Sequence, residues 1–174
     1  MRTLTEQLTQ YAKYHRDPRN IATHFVGIPM IVLAIAVLLS RPAFEVFGNV
    51  WTPALVLFIA SIVYYIKLDV ALGALMALLL VGVYQLALFL SAGGVSDLLM
   101  WGVGLFVLGW VIQFVGHYYE GKKPAFVDDI MGLVIGPLFV VAEALFMVGA
   151  RKQLQEDIES VAGRVVISKP KVSA

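Results

Sequence analysis

A chain of 174 residues that is 60% hydrophobic and 14% charged is far from the roughly 45–50% apolar and about 25% charged composition of soluble domains. A net charge of +1 leaves no global electrostatic footprint for nucleic acid. The absence of cysteine excludes disulfides, thiolate catalysis, iron–sulfur clusters and thiolate-bound zinc, so only His, Asp and Glu remain as protein ligands for a metal.

The length fits one domain, residues 1–174, and the apolar residues are gathered into blocks long enough to cross a bilayer. The expected fold is an all-α, multi-pass helical membrane protein with four spanning helices and a fifth re-entrant or interfacial segment. The polar stretch Met1 to Ala22 lacks an apolar core followed by a small-residue cleavage site, so no cleaved signal peptide is expected and insertion falls to the first span.

Residues 1–20 read as a cytoplasmic N-terminal segment. Within it, residues 3–16 form a short helix that Thr3 or Thr5 can cap, with Leu4, Leu8, Tyr11 and His15 at helical spacing. Pro18 should end it by disfavouring the α conformation at Asp17, and Asn20 is placed to cap the next helix. The first span runs from there to about Ser40, with a break or bend near Gly27-Ile28-Pro29, and a short polar turn follows from Arg41 to Asn49.

Residues 50–66 read as a second span ending at Lys67 and Asp69, residues 70–91 as a third closed by Ser91-Ala92-Gly93-Gly94, and residues 97–119 as a fourth that carries His117 near its end. Each approaches the roughly 20 residues that a bilayer core demands. The block from Ile130 to Ala150 is long enough for a fifth, but it contains Gly132, Gly136, Pro137 and Glu143.

Basic residues decide the topology. Arg2, Lys13, Arg16 and Arg19 at the start, Lys67, and the pair Lys122 and Lys123 mark the cytoplasmic side. Arg151, Lys152, Arg164, Lys169 and Lys171 place the C-terminal tail there too, which a fully crossing fifth helix would forbid; hence the re-entrant or interfacial assignment. Gln153 to Ala162 is a polar amphipathic run, and residues 163–174 read as a flexible tail.

This topology brings the only three histidines, His15, His24 and His117, to one membrane face. Asn20 and His24 are four apart, and His117 and Glu120 three apart, so each pair shares a helical face. Asn20 could orient an imidazole or a bound ligand, while Glu120 brings a carboxylate to the point that His117 addresses. Histidine inside a membrane segment marks a functional site by default, because polar groups there are costly; the alternative is structural hydrogen bonding at the headgroup level, with His15 simply interfacial.

Three neutral imidazoles with oxygen ligands suit iron(II) or zinc, and three histidines are too few for the two-iron site of membrane desaturases. A single ion is therefore expected, with Glu120, Asp128 or Asp129 as further ligands or as partners that fix the imidazole tautomers. Asp128 and Asp129 could equally cap the helix that follows.

Arg16, Arg19, Lys122 and Lys123 read first as contacts to anionic headgroups and, more sharply, as groups that capture a lipid carboxylate. Glu143 is either a buried site carboxylate or a residue facing the cytoplasm. Gly132 and Gly136 fit close helix packing. A non-catalytic lipid-binding or scaffold protein is the alternative to an enzyme. A transporter is disfavoured, because the second and third spans have almost no ionisable residues in their apolar cores.

Tyr14-His15 with Asn20, His24, Gly27 and Pro29, followed by Gly116-His117-Tyr118-Tyr119-Glu120-Gly121-Lys122-Lys123-Pro124-Ala125, resembles the iron(II)-dependent 2-hydroxy fatty acid dioxygenases of α-oxidation, a family known from yeast endoplasmic reticulum with bacterial relatives. The resemblance extends over nearly the whole chain, including Gly136-Pro137 and Glu143. It implies a single iron(II), or zinc after purification, held by His15, His24 and His117. It also implies reaction of a long-chain 2-hydroxy acid such as 2-hydroxypalmitate with dioxygen to give the acid shortened by one carbon.

The substrate would meet the ion through its carboxylate and hydroxyl, with its acyl chain between the spans, its charge neutralised by Lys122, Lys123 or Arg19, and Glu120 and Asn20 assisting catalysis. The expected location is a bacterial inner membrane, or the endoplasmic reticulum in a eukaryote, with the site on the cytoplasmic face.

Overall fold

The computed structural model describes residues 2–167, so Lys169-Pro170-Lys171 of the expected tail lies outside the described residues. Helices dominate it: α1 (Leu4–Ala12), α2 (Pro18–Leu38), α3 (Pro53–Leu68), α4 (Val70–Leu90), α5 (Val95–Glu120), α6 (Gly132–Met147) and α7 (Lys152–Ala162). Three of them, α2, α4 and α5, are long and apolar enough to cross a membrane, and the count rises to four if α6 and α7, bent by 115° at their junction, are taken as one span. The segment expected as a second span is α3, whose 16 residues fall short of the roughly 20 that a crossing needs. It starts late because the preceding residues are committed elsewhere, and Thr52 then caps it by accepting from the Leu55 amide at 3.1 Å.

Those preceding residues form the one departure from an all-helical fold among the described residues. The stretch expected to be a polar turn is a β-hairpin, β1 (Phe44–Val46) against β2 (Asn49–Trp51), antiparallel with Phe44 opposite Trp51 and Val46 opposite Asn49. Its two-residue turn holds Phe47 at φ 51 and Gly48 at φ 73, the pair of positive angles that matches the twist of the flanking strands. Gly48 takes that conformation freely. Phe47 does not, and its side chain is 99% exposed, so no packing within the described residues offsets the strain.

The N-terminal region differs from expectation in its caps. Thr3 caps α1 in a reciprocal box with Glu6, but α1 stops at Ala12, well before Pro18. Pro18 instead opens α2, at the position where its missing N–H costs nothing. The cap is therefore Asp17, whose Oδ1 accepts from the Arg19 amide at 2.9 Å; Asn20 lies one turn inside and is free for other work. Helix α2 is assigned without interruption through Pro29 rather than broken at Gly27-Ile28-Pro29.

The chain groups into two compact units, one built from the described parts of Met1–Ile28 and Val111–Ala174, the other from Pro29–Trp110. In the second, α3 packs along α4, and the elbow is tight enough that a Cβ on Gly73 would strike the Ile66 backbone. In the first, the amphipathic α1 lies on α6 and α7, burying Leu4, Leu8, Tyr11 and Ala12 against a face that includes Ile135, Leu138 and Phe139. Gly136 lets this happen, since a Cβ there would crowd the Tyr11 hydroxyl and Ile28.

Replacing Phe47 with Asn, which tolerates the left-handed region, is predicted to raise stability by about 1 kcal/mol. Thermal unfolding in detergent would show a higher midpoint; a lower one would mean that the exposed phenyl ring contributes to folding.

Candidate metal centre

The site is assembled within the first unit from three pieces of chain. His15 lies in the turn that follows α1, His24 in the second turn of α2 and His117 in the last turn of α5. All three are buried, at 0%, 2% and 8% exposure. Their rings meet edge-on, with centroids 4.4 Å apart for His15 and His24, 5.0 Å for His15 and His117, and 5.1 Å for His24 and His117. One nitrogen from each lies within 4.8 Å of the others.

Hydrogen bonding fixes which nitrogens can act. His15 Nδ1 is 2.8 Å from the Tyr11 carbonyl, and His24 Nδ1 is 2.8 Å from the Asn20 carbonyl. A carbonyl can only accept, so each Nδ1 carries the proton and each Nε2 is left with a lone pair. His15 Nε2 and His117 Nδ1 are buried with no hydrogen-bond partner. Burial, and then the neighbouring His24, hold His15 well below its usual pKa, in the neutral form. Buried imidazoles with unsatisfied nitrogens facing one another fit a divalent cation that accepts nitrogen ligands, and they fit little else: as a purely structural cluster they would leave lone pairs unpaired and opposed. Tyr11 backs the group, its ring stacked on His15 at 4.1 Å and 5°.

The histidines are held in register by Glu120. Its carboxylate, 2% exposed, accepts from the Arg16 amide at 3.1 and 3.0 Å, the Asp17 amide at 2.7 Å and the Asn20 side-chain amide at 3.1 Å. The end of α5 is thereby fastened to the turn between α1 and α2, where amides that no helix satisfies need an acceptor. Asn20 also donates to the Tyr14 carbonyl at 3.3 Å. Glu120 and Asn20 are thus engaged in joining the pieces that carry the ligands.

The other predicted residues are placed around this core. Arg19 donates to both oxygens of Asp17, at 3.0 and 2.8 Å, and lies over the Tyr119 ring at 4.6 Å. Lys123 bonds Asp128 at 2.6 Å, and Tyr14 bonds the same carboxylate at 2.6 Å. Lys122 donates to the Lys13 carbonyl at 2.7 Å and comes within 3.9 Å of Glu120. Asp129 pairs with Arg2 at 2.7 Å and accepts from the Met131 amide at 3.0 Å in the turn before α6, which has no side-chain cap. The three-histidine cluster includes neither Asp128 nor Asp129.

Glu143 turns out to be the buried partner of Arg16, at 3.0 Å. Arg16 in turn donates to the Gly163 carbonyl at 3.2 Å, and its own carbonyl accepts from the Val166 amide at 2.9 Å. The first residues of the expected tail are therefore tied to the segment that carries His15.

Two features were not singled out from the sequence. Tyr11 was read only as an apolar position, and nothing in its spacing distinguishes a ring that stacks on a ligand. Gly116 is the other: a Cβ there would overlap Thr23 Oγ1 and Asn20 Oδ1, so these two α2 side chains seat directly on the bare α5 backbone immediately beside His117. Its adjacency to His117 was the available signal.

Gly116→Ala is predicted to force α5 away from α2 and to weaken metal binding by at least about tenfold, the loss seen when a ligand's support is disturbed. Titration of the purified variant with a divalent metal would measure this; wild-type affinity would show that the close approach has no bearing on the centre.

No solved structure matches the chain. Over 158 residues it is 32% identical to a Saccharomyces cerevisiae protein named 2-hydroxy-palmitic acid dioxygenase MPO1, in an alignment that covers 90% of this chain and 87% of the yeast protein. The family described as "2-hydroxy-palmitic acid dioxygenase Mpo1-like" matches residues 1–148, a span that holds all three histidines, Glu120 and Glu143. The chain belongs to the Mpo1-like family.

Proposed function

We propose that this protein is an iron(II)-dependent dioxygenase that shortens long-chain 2-hydroxy fatty acids by one carbon. The observation that carries the reading is the buried trio of imidazoles with one nitrogen from each within 4.8 Å of the others, two of the rings with a nitrogen that has no hydrogen-bond partner, found in a chain 32% identical to a protein named for that reaction. Iron(II) held by His15, His24 and His117 would supply open coordination positions and the redox chemistry that dioxygen requires; zinc would fit the same nitrogens but has no redox change to offer.

The chain's own residues prepare that centre. The Tyr11 and Asn20 carbonyls hold His15 and His24 in the tautomer that presents Nε2. Glu120 and Asn20 act as positioning residues, joining the His15 turn to the helix that ends in His117. Of the three cations predicted to receive the substrate's carboxylate, Lys122 is the most available. It is half-exposed, its hydrogen bond goes to a neutral carbonyl and its nearest carboxylate, Glu120, is 3.9 Å away, whereas Arg19 and Lys123 bond carboxylates directly at 2.8 and 2.6 Å. The acyl chain would lie along the apolar helices, and exclusion of water around the buried trio protects the reacting groups.

The same reading makes the protein multi-pass, with α3 completing a fourth crossing, the bent α6–α7 pair as the re-entrant or interfacial segment, and the histidines at the cytoplasmic face of a bacterial inner membrane or, in a eukaryote, of the endoplasmic reticulum. Arg2, Lys13, Lys122 and Lys123 at that end support it through the positive-inside bias.

Purified protein supplied with iron(II), oxygen and 2-hydroxypalmitate is expected to yield pentadecanoic acid. His24→Ala and His117→Ala should retain helical content by circular dichroism yet lose bound metal and at least about a hundredfold in rate, because each removes a ligand that no neighbour replaces. Metal-free wild-type protein, or undiminished turnover in these variants, would leave a lipid-binding or scaffold protein as the better description.

A further inference from the structure

Gln113 is a buried polar group near the site that lacks a partner for its amide oxygen. Gln113 is four residues before His117 in α5, so it lies one turn deeper on the same helical face. It is 4% exposed, and its Oε1 is buried with no hydrogen-bond donor in reach. Its neighbours Val111, Ile112, Phe114 and Val115 are all apolar, as befits a helix long and apolar enough to cross a membrane. An unsatisfied buried amide oxygen costs about 1–3 kcal/mol, and hydrocarbon offers no water to relieve it. On α5, two unpaired acceptors share one face: His117 Nδ1, which the metal would take, and one turn deeper Gln113 Oε1, which still lacks a donor.

The chemistry of the missing donor is restricted. A carboxylate has no proton to give and would be repelled by a carbonyl oxygen, so the acid group of a fatty acid does not fit. A hydroxyl does. In a 2-hydroxy fatty acid at neutral pH the 2-hydroxyl is the sole O–H, and it is the group that separates the substrate from an ordinary fatty acid.

Resting on the function proposed above, we infer that Gln113 accepts a hydrogen bond from the 2-hydroxyl of the bound acid and is the residue that selects 2-hydroxy acids over their unsubstituted counterparts. A site with a buried acceptor for a substrate hydroxyl rejects the analogue that lacks it, because the acceptor is then left unpaired.

The test compares equilibrium binding of 2-hydroxypalmitate, 2-methoxypalmitate and palmitate to metal-loaded protein. Wild type should prefer the 2-hydroxy acid over the other two by roughly tenfold, the worth of one neutral hydrogen bond. Gln113→Met, similar in shape but without the amide acceptor, should keep its metal and lose the tenfold preference for the 2-hydroxy over the 2-methoxy acid, whose ether oxygen has no proton to donate, while Gln113→Glu, which retains an acceptor, should keep it.

A Gln113→Met variant with wild-type selectivity would overturn the assignment while leaving the dioxygenase reading intact. If that variant does not fold, wild-type protein still decides: equal binding of the 2-hydroxy and 2-methoxy acids would also overturn it. Wild-type protein with no preference for the 2-hydroxy acid over palmitate would sink both readings.

Discussion

A single buried carboxylate holds the site together. Glu120 accepts two backbone amides from the turn between α1 and α2 and a third donor from Asn20, all with its side chain 2% exposed. Hydrogen bonds to a charged acceptor are each worth about 1.5–3 kcal/mol, and the donors they satisfy would otherwise be orphaned. The turn is sharp because α2 starts at Pro18, and a proline start leaves the amides just before it without helical partners. One carboxylate at the end of α5 supplies what they lack, and in doing so brings His15 and His24 to His117.

The surrounding structure brings further polar groups close to an apolar interior and pairs almost every one. Arg16 is 7% exposed and is matched by Glu143 and by the carbonyls of Ala12, His15 and Gly163. Asp17, at 0% exposure, is engaged by Arg19 and by the amide that it caps. Against that background the unpaired nitrogens of His15 and His117 and the unpaired oxygens of Gln113 and Asn20 stand out, the last of these turned toward the Gly116 backbone. Where a protein has gone to such lengths to satisfy buried polar groups, those left open mark where something else binds. Gly116 and Gly136 contribute through sterics, letting neighbouring elements approach where a Cβ would crowd Thr23 and Asn20 or Tyr11 and Ile28.

Much of this was legible in the sequence. Composition and block length reveal the apolar helices, the positions of the histidines place them at one end, and the spacings Asn20–His24 and His117–Glu120 identify the faces involved. Boundaries were harder. Asn20 was read as a cap because it precedes an apolar run, whereas Pro18 at the first helical position makes Asp17 the cap and frees Asn20 for Glu120. The second span was read from apolar content alone, which cannot tell that Val50 and Trp51 pair with Glu45 and Phe44 in a hairpin. Long-range pairings such as Arg16 with Glu143, and the stacking of Tyr11 on His15, leave no local trace, since periodicity reports which face is buried and not what it meets. The surface cations show the converse: Lys123 and Arg19 look free in the sequence, but each is opposed by a carboxylate in the fold.

Glu120 acts through the histidines rather than alone, and metal affinity of Glu120→Gln is the direct measure. An amide of the same shape has one acceptor oxygen in place of two, and its NH2 group would confront the Arg16 and Asp17 amides. The predicted result is retained helical content with metal binding weakened by at least about tenfold. Wild-type metal affinity in that variant would contradict the claim that this carboxylate assembles the centre.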